Sequence, residues 1–210
     1  MLLSGVSLAL NRGERVACVG PSGAGKTSLL RVLCGLDDSA TGTIYLDGKT
    51  PSQWGWPAFR RRVCLVGQRP VLFEGTVAEN LRRPFDYHSG CESVFPAARA
   101  AELMDALLLG RDCLEQHARV LSVGQQQRLC LIRALLLAPD VLLLDEPTSA
   151  LDLYATQAVE ATLSAECQTR GLCLFVVTHN ERQASDWCER QIDVRAFLAS
   201  PAHSFAETRA

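Results

Sequence analysis

The segment Gly20-Pro21-Ser22-Gly23-Ala24-Gly25-Lys26-Thr27 has the residue types needed to hold phosphate. Its glycines let the backbone wrap so that several N–H groups point inward, and a helix opening at its end adds a field that favours anions. Lys26 would reach the β- and γ-phosphates of a nucleotide, Thr27 would offer its hydroxyl to Mg²⁺, and Ser28 follows as part of the same cradle. Asp145 and Glu146 end a run of four apolar residues, Val141 to Leu144. Buried parallel strands read this way, and a carboxylate at the carboxyl end of such a strand sits in the ligand crevice. Asp145 would hold Mg²⁺ through water, and Glu146 could polarise an attacking water as general base. Ser122 is a good N-cap before a stretch of helical composition. Its hydroxyl and the backbone of Gly124 would present a second anion site at a helix start. Lysine usage sharpens the first reading. Lys and Arg together number 21, yet only Lys26 and Lys49 are lysines, and one of the two stands inside the glycine loop. A compact ammonium on a thin stem can enter a phosphate cradle that a planar guanidinium cannot.

The elements that must position these residues alternate between two patterns. Residues 6–10 alternate weakly and read as an antiparallel strand, whereas 15–19 form a short apolar run ending in the glycine loop, as a buried parallel strand does. Helical spacing follows over 27–35 and closes on Gly35. Residues 43–46 lead into the turn Asp47-Gly48, and 62–66 read as a strand ending at Gly67-Gln68. From 71 to 138 the apolar stripes are helical, with no convincing strand. Strand 141–144, helix 153–167, strand 172–178, a short helix and strand 191–194 restore the α/β alternation. The pattern predicts one α/β P-loop NTPase domain over 1–198, with a mainly parallel core sheet and a small antiparallel N-terminal β part. Its core would comprise 1–70 and 139–198, with an inserted helical subdomain over 71–138 and a loosely ordered tail over 199–210.

Bulk properties narrow the class. A net charge of −2 argues against nucleic-acid binding by bulk electrostatics, and the run Arg60-Arg61-Arg62 reads as a solvated strand edge. Nine cysteines occur without paired metal-ligand spacing, an odd count that fits reduced thiols in a cytoplasmic compartment. No apolar stretch is long enough to cross a bilayer, and the start lacks a basic segment followed by an apolar one. Any membrane role would come through a separate partner. His88, His117 and His203 read as structural or exposed.

Taken in order, the glycine loop, Gln68, Leu121-Ser122-Val123-Gly124-Gln125, the strand ending in Asp145-Glu146, and His179 resemble the ATPase subunits of ABC (ATP-binding cassette) transporters. The resemblance covers nearly the whole chain, about 3–195. It implies a homodimer that forms head-to-tail around ATP, with Ser122, Gly124 and Gln125 gripping the γ-phosphate bound to the opposite subunit. It implies further that Gln68 senses Mg²⁺ and the attacking water. His179 would contact the γ-phosphate, and Asp152, in a segment resembling the family's D-loop, would help organise the dimer interface. A separate integral membrane permease would be energised, with the ATPase peripheral on the inner face of the membrane. The segment after Gln68 would help form the groove receiving that permease. The run 72–81 looks more like exporter-type than importer-type ATPases, and the chain is similar to small stand-alone ATPases linked to metal or iron export.

Two departures stand out. Val123 occupies the position where Gly is commoner, leaving Ser122 and Gly124 intact. The resemblance also implies an aromatic residue that stacks on adenine well upstream of the glycine loop, and a first strand; neither lies within these residues, so either the start lies upstream or the adenine is held by something else. A soluble ABC ATPase of the translation or DNA-repair type, or a fragment of one, is the alternative. Such proteins usually carry two cassettes or a long coiled-coil insertion. A GTPase would need an Asn-Lys-x-Asp segment, which two lysines at 26 and 49 do not supply. A P-loop kinase would leave Leu121 to Gln125 without a role.

Overall fold

The computed structural model describes residues 3–86 and 94–198. Five strands form one sheet, β1 (Arg15–Val19), β2 (Val63–Val66), β3 (Val141–Asp145), β4 (Cys173–Val177) and β5 (Arg190–Asp193), in the order β2-β3-β4-β1-β5. Every neighbouring pair is parallel, with Ala17 opposite Val176 and Leu144 opposite both Val66 and Val176. Parallel strands joined by helices bury both faces, which explains the unbroken apolar runs at β3 and β4. All five residues of β4 are buried.

Alternation then sorts each strand between two cores. Ala17, Val66, Leu142, Leu144, Leu174 and Val176 face a cluster shared with helices α4 (Val77–Asp86), α5 (Ala97–Ala106), α6 (Val123–Leu136) and α7 (Leu153–Arg170). Val16, Cys18, Val63, Leu143, Phe175 and Val177 face the opposite cluster, completed by Leu29 and Leu30 of α1 (Lys26–Leu33) and Phe59 of α3 (Trp56–Arg62). Burying each large side chain of this kind contributes about 1.5–3 kcal/mol. The helices of the 71–138 region therefore share a continuous core with one face of the sheet. Arg128 ties α6 to the end of α5 through the carbonyls of Leu107 and Leu108.

Three sequence expectations are corrected here. The stretches 6–10 and 43–46 form no ladder; the antiparallel part is reduced to single bridges, Leu3 with Leu198 and Leu46 with Lys49. Residues 6–10 have no bridge partner and 43–46 have one, so packing fixes these stretches instead, and Val6, Leu8, Leu10 and Ile44 lie against the second core. The arginine run is no strand edge. It closes α3, which follows the short helix α2 (Pro51–Trp54), and Arg62 pairs with Asp47 at 2.7 Å and with Asp140. Proline at the first turn of each helix explains both starts, since its fixed φ suits that position. His117 is structural as expected, accepting from Arg119 N and meeting Glu74 at 3.0 Å, whereas His88, His203 and the 199–210 tail lie outside the described residues. Among the described residues eight cysteines are free thiols, all buried. Burial pushes the thiols of Cys18, Cys64, Cys173 and Cys188 up to about 12.

Gly35 ends α1 in a left-handed conformation (φ +68°). Its N–H donates to Val32 O and that of Leu36 to Arg31 O, so the last carbonyls of the helix are satisfied. A Cβ there would lie 2.1 Å from the Trp56 ring. Gly35→Ala is expected to lower stability by about 1–3 kcal/mol, read as a shifted urea midpoint at unchanged slope.

Candidate active site

Because all five strands run the same way, their carboxyl ends open along one edge. The glycine loop leaves β1 there, Gln68 follows β2, Glu146 follows β3, and His179 follows β4. The loop begins at Gly20 (φ +144°), where an added Cβ would sit 2.5 Å from Val194 Cγ2. It closes at Gly25 (φ +92°), the N-cap of α1, which has no side chain to compete for the helix's first N–H groups. Buried Lys26 bends back over the loop, and its Nζ donates to Gly20 O at 2.7 Å and Pro21 O at 2.8 Å. The loop thus carries a desolvated cation whose present partners are two neutral carbonyls, which an anionic phosphate could outcompete. Ser22 and Gly23 are exposed on its outer side, while Ala24 is buried beneath it; Ser28 is half-buried one residue into the helix.

Thr27 and Asp145, 118 residues apart in sequence, meet directly. Thr27 Oγ1 donates to Asp145 Oδ2 at 2.8 Å, and Asp145 is buried. A hydroxyl and a carboxylate together fit the hard-oxygen preference of Mg²⁺. Among the described residues no group of three or more His, Cys, Asp or Glu could hold a metal alone. That donor set suits an ion bound by few protein ligands together with substrate phosphates.

Loops after β2 and β4 converge on Glu146. Gln68 Nε2 donates to its Oε2 at 2.9 Å, and His179 Nε2 lies 3.4 Å from its Oε1. A carboxylate held at both oxygens is an oriented one. It protrudes from a left-handed backbone (φ +49°), unusual for a residue with a side chain. Its own N–H donates to Val177 O at 2.8 Å, and its carbonyl accepts from Ser149 Oγ and from Gln127 Nε2.

The helix α6 begins as anticipated. Ser122 caps it in a reciprocal box with Gln125: Gln125 N donates to Ser122 Oγ, and Ser122 N donates to Gln125 Oε1 at 2.9 Å. Gly124 sits so close to the following loop that a Cβ would lie 2.8 Å from Ala150 O. Asp152 caps α7, accepting from Ala155 N. Among the described residues, neither Ser122 nor Asp152 hydrogen-bonds to the glycine loop. Fold and contacts therefore assemble Lys26, Thr27, Asp145, Glu146, Gln68 and His179 at one edge, while Ser122, Gly124, Gln125 and Asp152 form a second group. Sequence reasoning missed Gln127 and Ser149, both on the Glu146 backbone. Gln127 was detectable as a polar residue on the stripe it shares with the buried Cys130, Leu131 and Ala134.

Residues 3–149 match the model of the ABC transporter family. The chain belongs to that family. Among its relatives is rice Protein STAR1, 40% identical over 182 residues, covering 87% of this chain and 52% of STAR1. The phosphate import ATP-binding protein PstB 2 of Natronomonas pharaonis is 39% identical over 206 residues, covering 90% of this chain and 70% of that protein. The chain thus spans about half the length of the rice relative. A dimeric structure of a post-hydrolysis state of the ATP-binding cassette MJ0796, bound to ADP and Pi, superposes with a TM-score of 0.79 at 29% identity. The superposition covers 91% of this chain and 85% of that one. The fold is that of the ABC ATPases. Among the described residues no helix is long and apolar enough to cross a membrane.

Beside Gln68 a groove of about 410 Å³ runs between β2 and α6. Its walls include Leu65, Val71 and Phe73 together with Arg60, Arg69 and Arg133. Arg133 donates to Val71 O at 2.7 Å and lies over the Phe73 ring, which fixes the wall formed by the segment after Gln68.

Proposed function

We propose that this chain is the ATP-binding and ATP-hydrolysing subunit of an ABC transporter, working as a head-to-tail homodimer on a separate membrane permease. The observation that carries the reading is the carboxylate of Glu146, oriented by Gln68 and His179 beside the Thr27–Asp145 pair and the Lys26 loop. Lys26 and the loop N–H groups bind the β- and γ-phosphates. Thr27, Asp145 and Gln68 hold Mg²⁺, which when bound offsets charge on the phosphate oxygens. Glu146 accepts a proton from the attacking water, and His179 steadies the γ-phosphate. Positioning and electrostatics supply most of the rate in such phosphoryl transfers.

The second half of the site comes from another copy. Ser122 and Gly124, with Gln125 holding the cap, present the start of α6 outward to the γ-phosphate bound by the partner's glycine loop. Val120, Val123, Leu153 and Tyr154 are apolar side chains 58–71% exposed around Ser122 and Asp152. Such surface near a site supports burial against a second subunit. The groove beside Gln68 supports docking of the permease, and with it a peripheral position on the inner face of the membrane. Export, with metal or iron ions as the proposed cargo class, rests on the run 72–81.

A shared site makes turnover depend on encounter of two subunits. Specific ATPase activity is expected to rise with protein concentration until the dimer saturates. Activity independent of concentration, from a species that light scattering shows to be monomeric, would overturn the composite site.

A further inference from the structure

We infer that Gln127 is a positioning residue that holds Glu146 in its left-handed backbone and thereby aims the general base; this rests on the functional reading above. Glu146 is the residue whose carboxylate meets both Gln68 and His179, yet its φ of +49° is a conformation that side-chain-bearing residues avoid. It persists only because neighbours over-determine it. The local restraints are the N–H bond to Val177 O on the adjoining strand and the bonds from the Ser149 hydroxyl and N–H, three residues on, to Glu146 O. One more comes from a different part of the chain. Gln127, 2% exposed in α6, donates from Nε2 to Glu146 O at 3.0 Å.

Gln127 is a costly choice for that place. Its Oε1 is buried and has no hydrogen-bond partner among the described residues. A buried acceptor left unpaired is unfavourable, and an apolar side chain of similar size would pack there without that loss. Stability therefore does not explain a glutamine here, whereas the single bond to Glu146 does. The amide orientation follows from the same contact, because the flipped amide would set oxygen against oxygen. Gln127 also lies just over one turn from Ser122, and Gly124 on the same turn packs against Ala150. One rigid helix start thus joins the anion site offered to the other subunit with the general base of its own.

Two full-length variants test this. Gln127→Met removes the donor at nearly constant volume. It is expected to lower kcat for ATP at least tenfold, change KM by less than threefold, and keep or raise the thermal midpoint. Gln127→Glu faces Glu146 O with a carboxylate at alkaline pH, where it should be as slow. Its buried carboxyl titrates above the ordinary range, so kcat should recover toward acid pH as it protonates and donates again, a recovery that Met cannot show. Turnover of Gln127→Met within threefold of wild type would overturn the inference alone. So would failure of both variants to fold, which would mark Gln127 as a packing residue. Wild-type protein without ATP turnover would overturn the functional reading and this inference with it.

Discussion

Glu146→Gln is expected to bind ATP, lose turnover by about 10²–10⁴-fold, and accumulate as a dimer with Mg-ATP. The amide preserves the shape of the carboxylate, and its oxygen can still accept from Gln68, as Oε2 does at 2.9 Å in the present arrangement. The fold and the strained backbone should survive, because the bonds from Gln127 and Ser149 and the bond to Val177 all involve main-chain atoms of residue 146. What disappears is the ability to take a proton. With hydrolysis stopped, nucleotide is expected to remain clamped between the glycine loop of one copy and Ser122 of the other. Removal of a negative charge beside the γ-phosphate favours the same state. Light scattering of the purified variant with and without Mg-ATP reads the outcome. A monomer-to-dimer shift only with ATP establishes the shared site, and a monomer in both conditions argues against association through nucleotide alone.

The second large effect belongs to Lys26. Replacement by Ala should weaken ATP binding by about 10- to 150-fold, the loss corresponding to charge-assisted hydrogen bonds of about 1.5–3 kcal/mol. Turnover should fall further, by about 10²–10³-fold, since the ammonium also faces charge on the transferring phosphoryl group. Lys26→Arg should rescue neither. Nζ reaches Gly20 O and Pro21 O as a single point within a buried turn, and a guanidinium fork does not fit that space. Fluorescent-nucleotide titration separates binding from rate. Full ATPase activity in Lys26→Ala would remove the glycine loop from the mechanism. Both variants leave α6 and its cap untouched, so on the proposed shared site Ser122 should serve as an unchanged partner in mixed dimers.

Much of the chemistry could be read directly from the residues. A glycine loop between a β-pattern and an α-pattern, an apolar run closed by two carboxylates, and a serine cap three residues before a glutamine are local signals. Local backbone physics fixes them, and the structure repeats all three. The parallel sheet was likewise legible, because strands buried on both faces need continuous apolar residues. Helices α2 and α3 were not, since Pro51, Trp54 and Trp56 break the usual helical period and the arginine run resembles exposed surface. Nor was the loss of the antiparallel ladders, because weak alternation over 6–10 and 43–46 cannot say whether a partner strand exists to pair with.

Tertiary structure alone decided which residues meet. Placing β3 between β2 and β4 brings Gln68 and His179 to opposite oxygens of Glu146, across separations of 78 and 33 residues. The same packing turns an unremarkable glutamine at 127 into a support for the Glu146 backbone. The amino-acid sequence determined which groups could bind phosphate and move a proton, because those are properties of residue type and local turn. The distances that make them one site come from strand order and helix packing, which sum many weak contacts that no single segment contains.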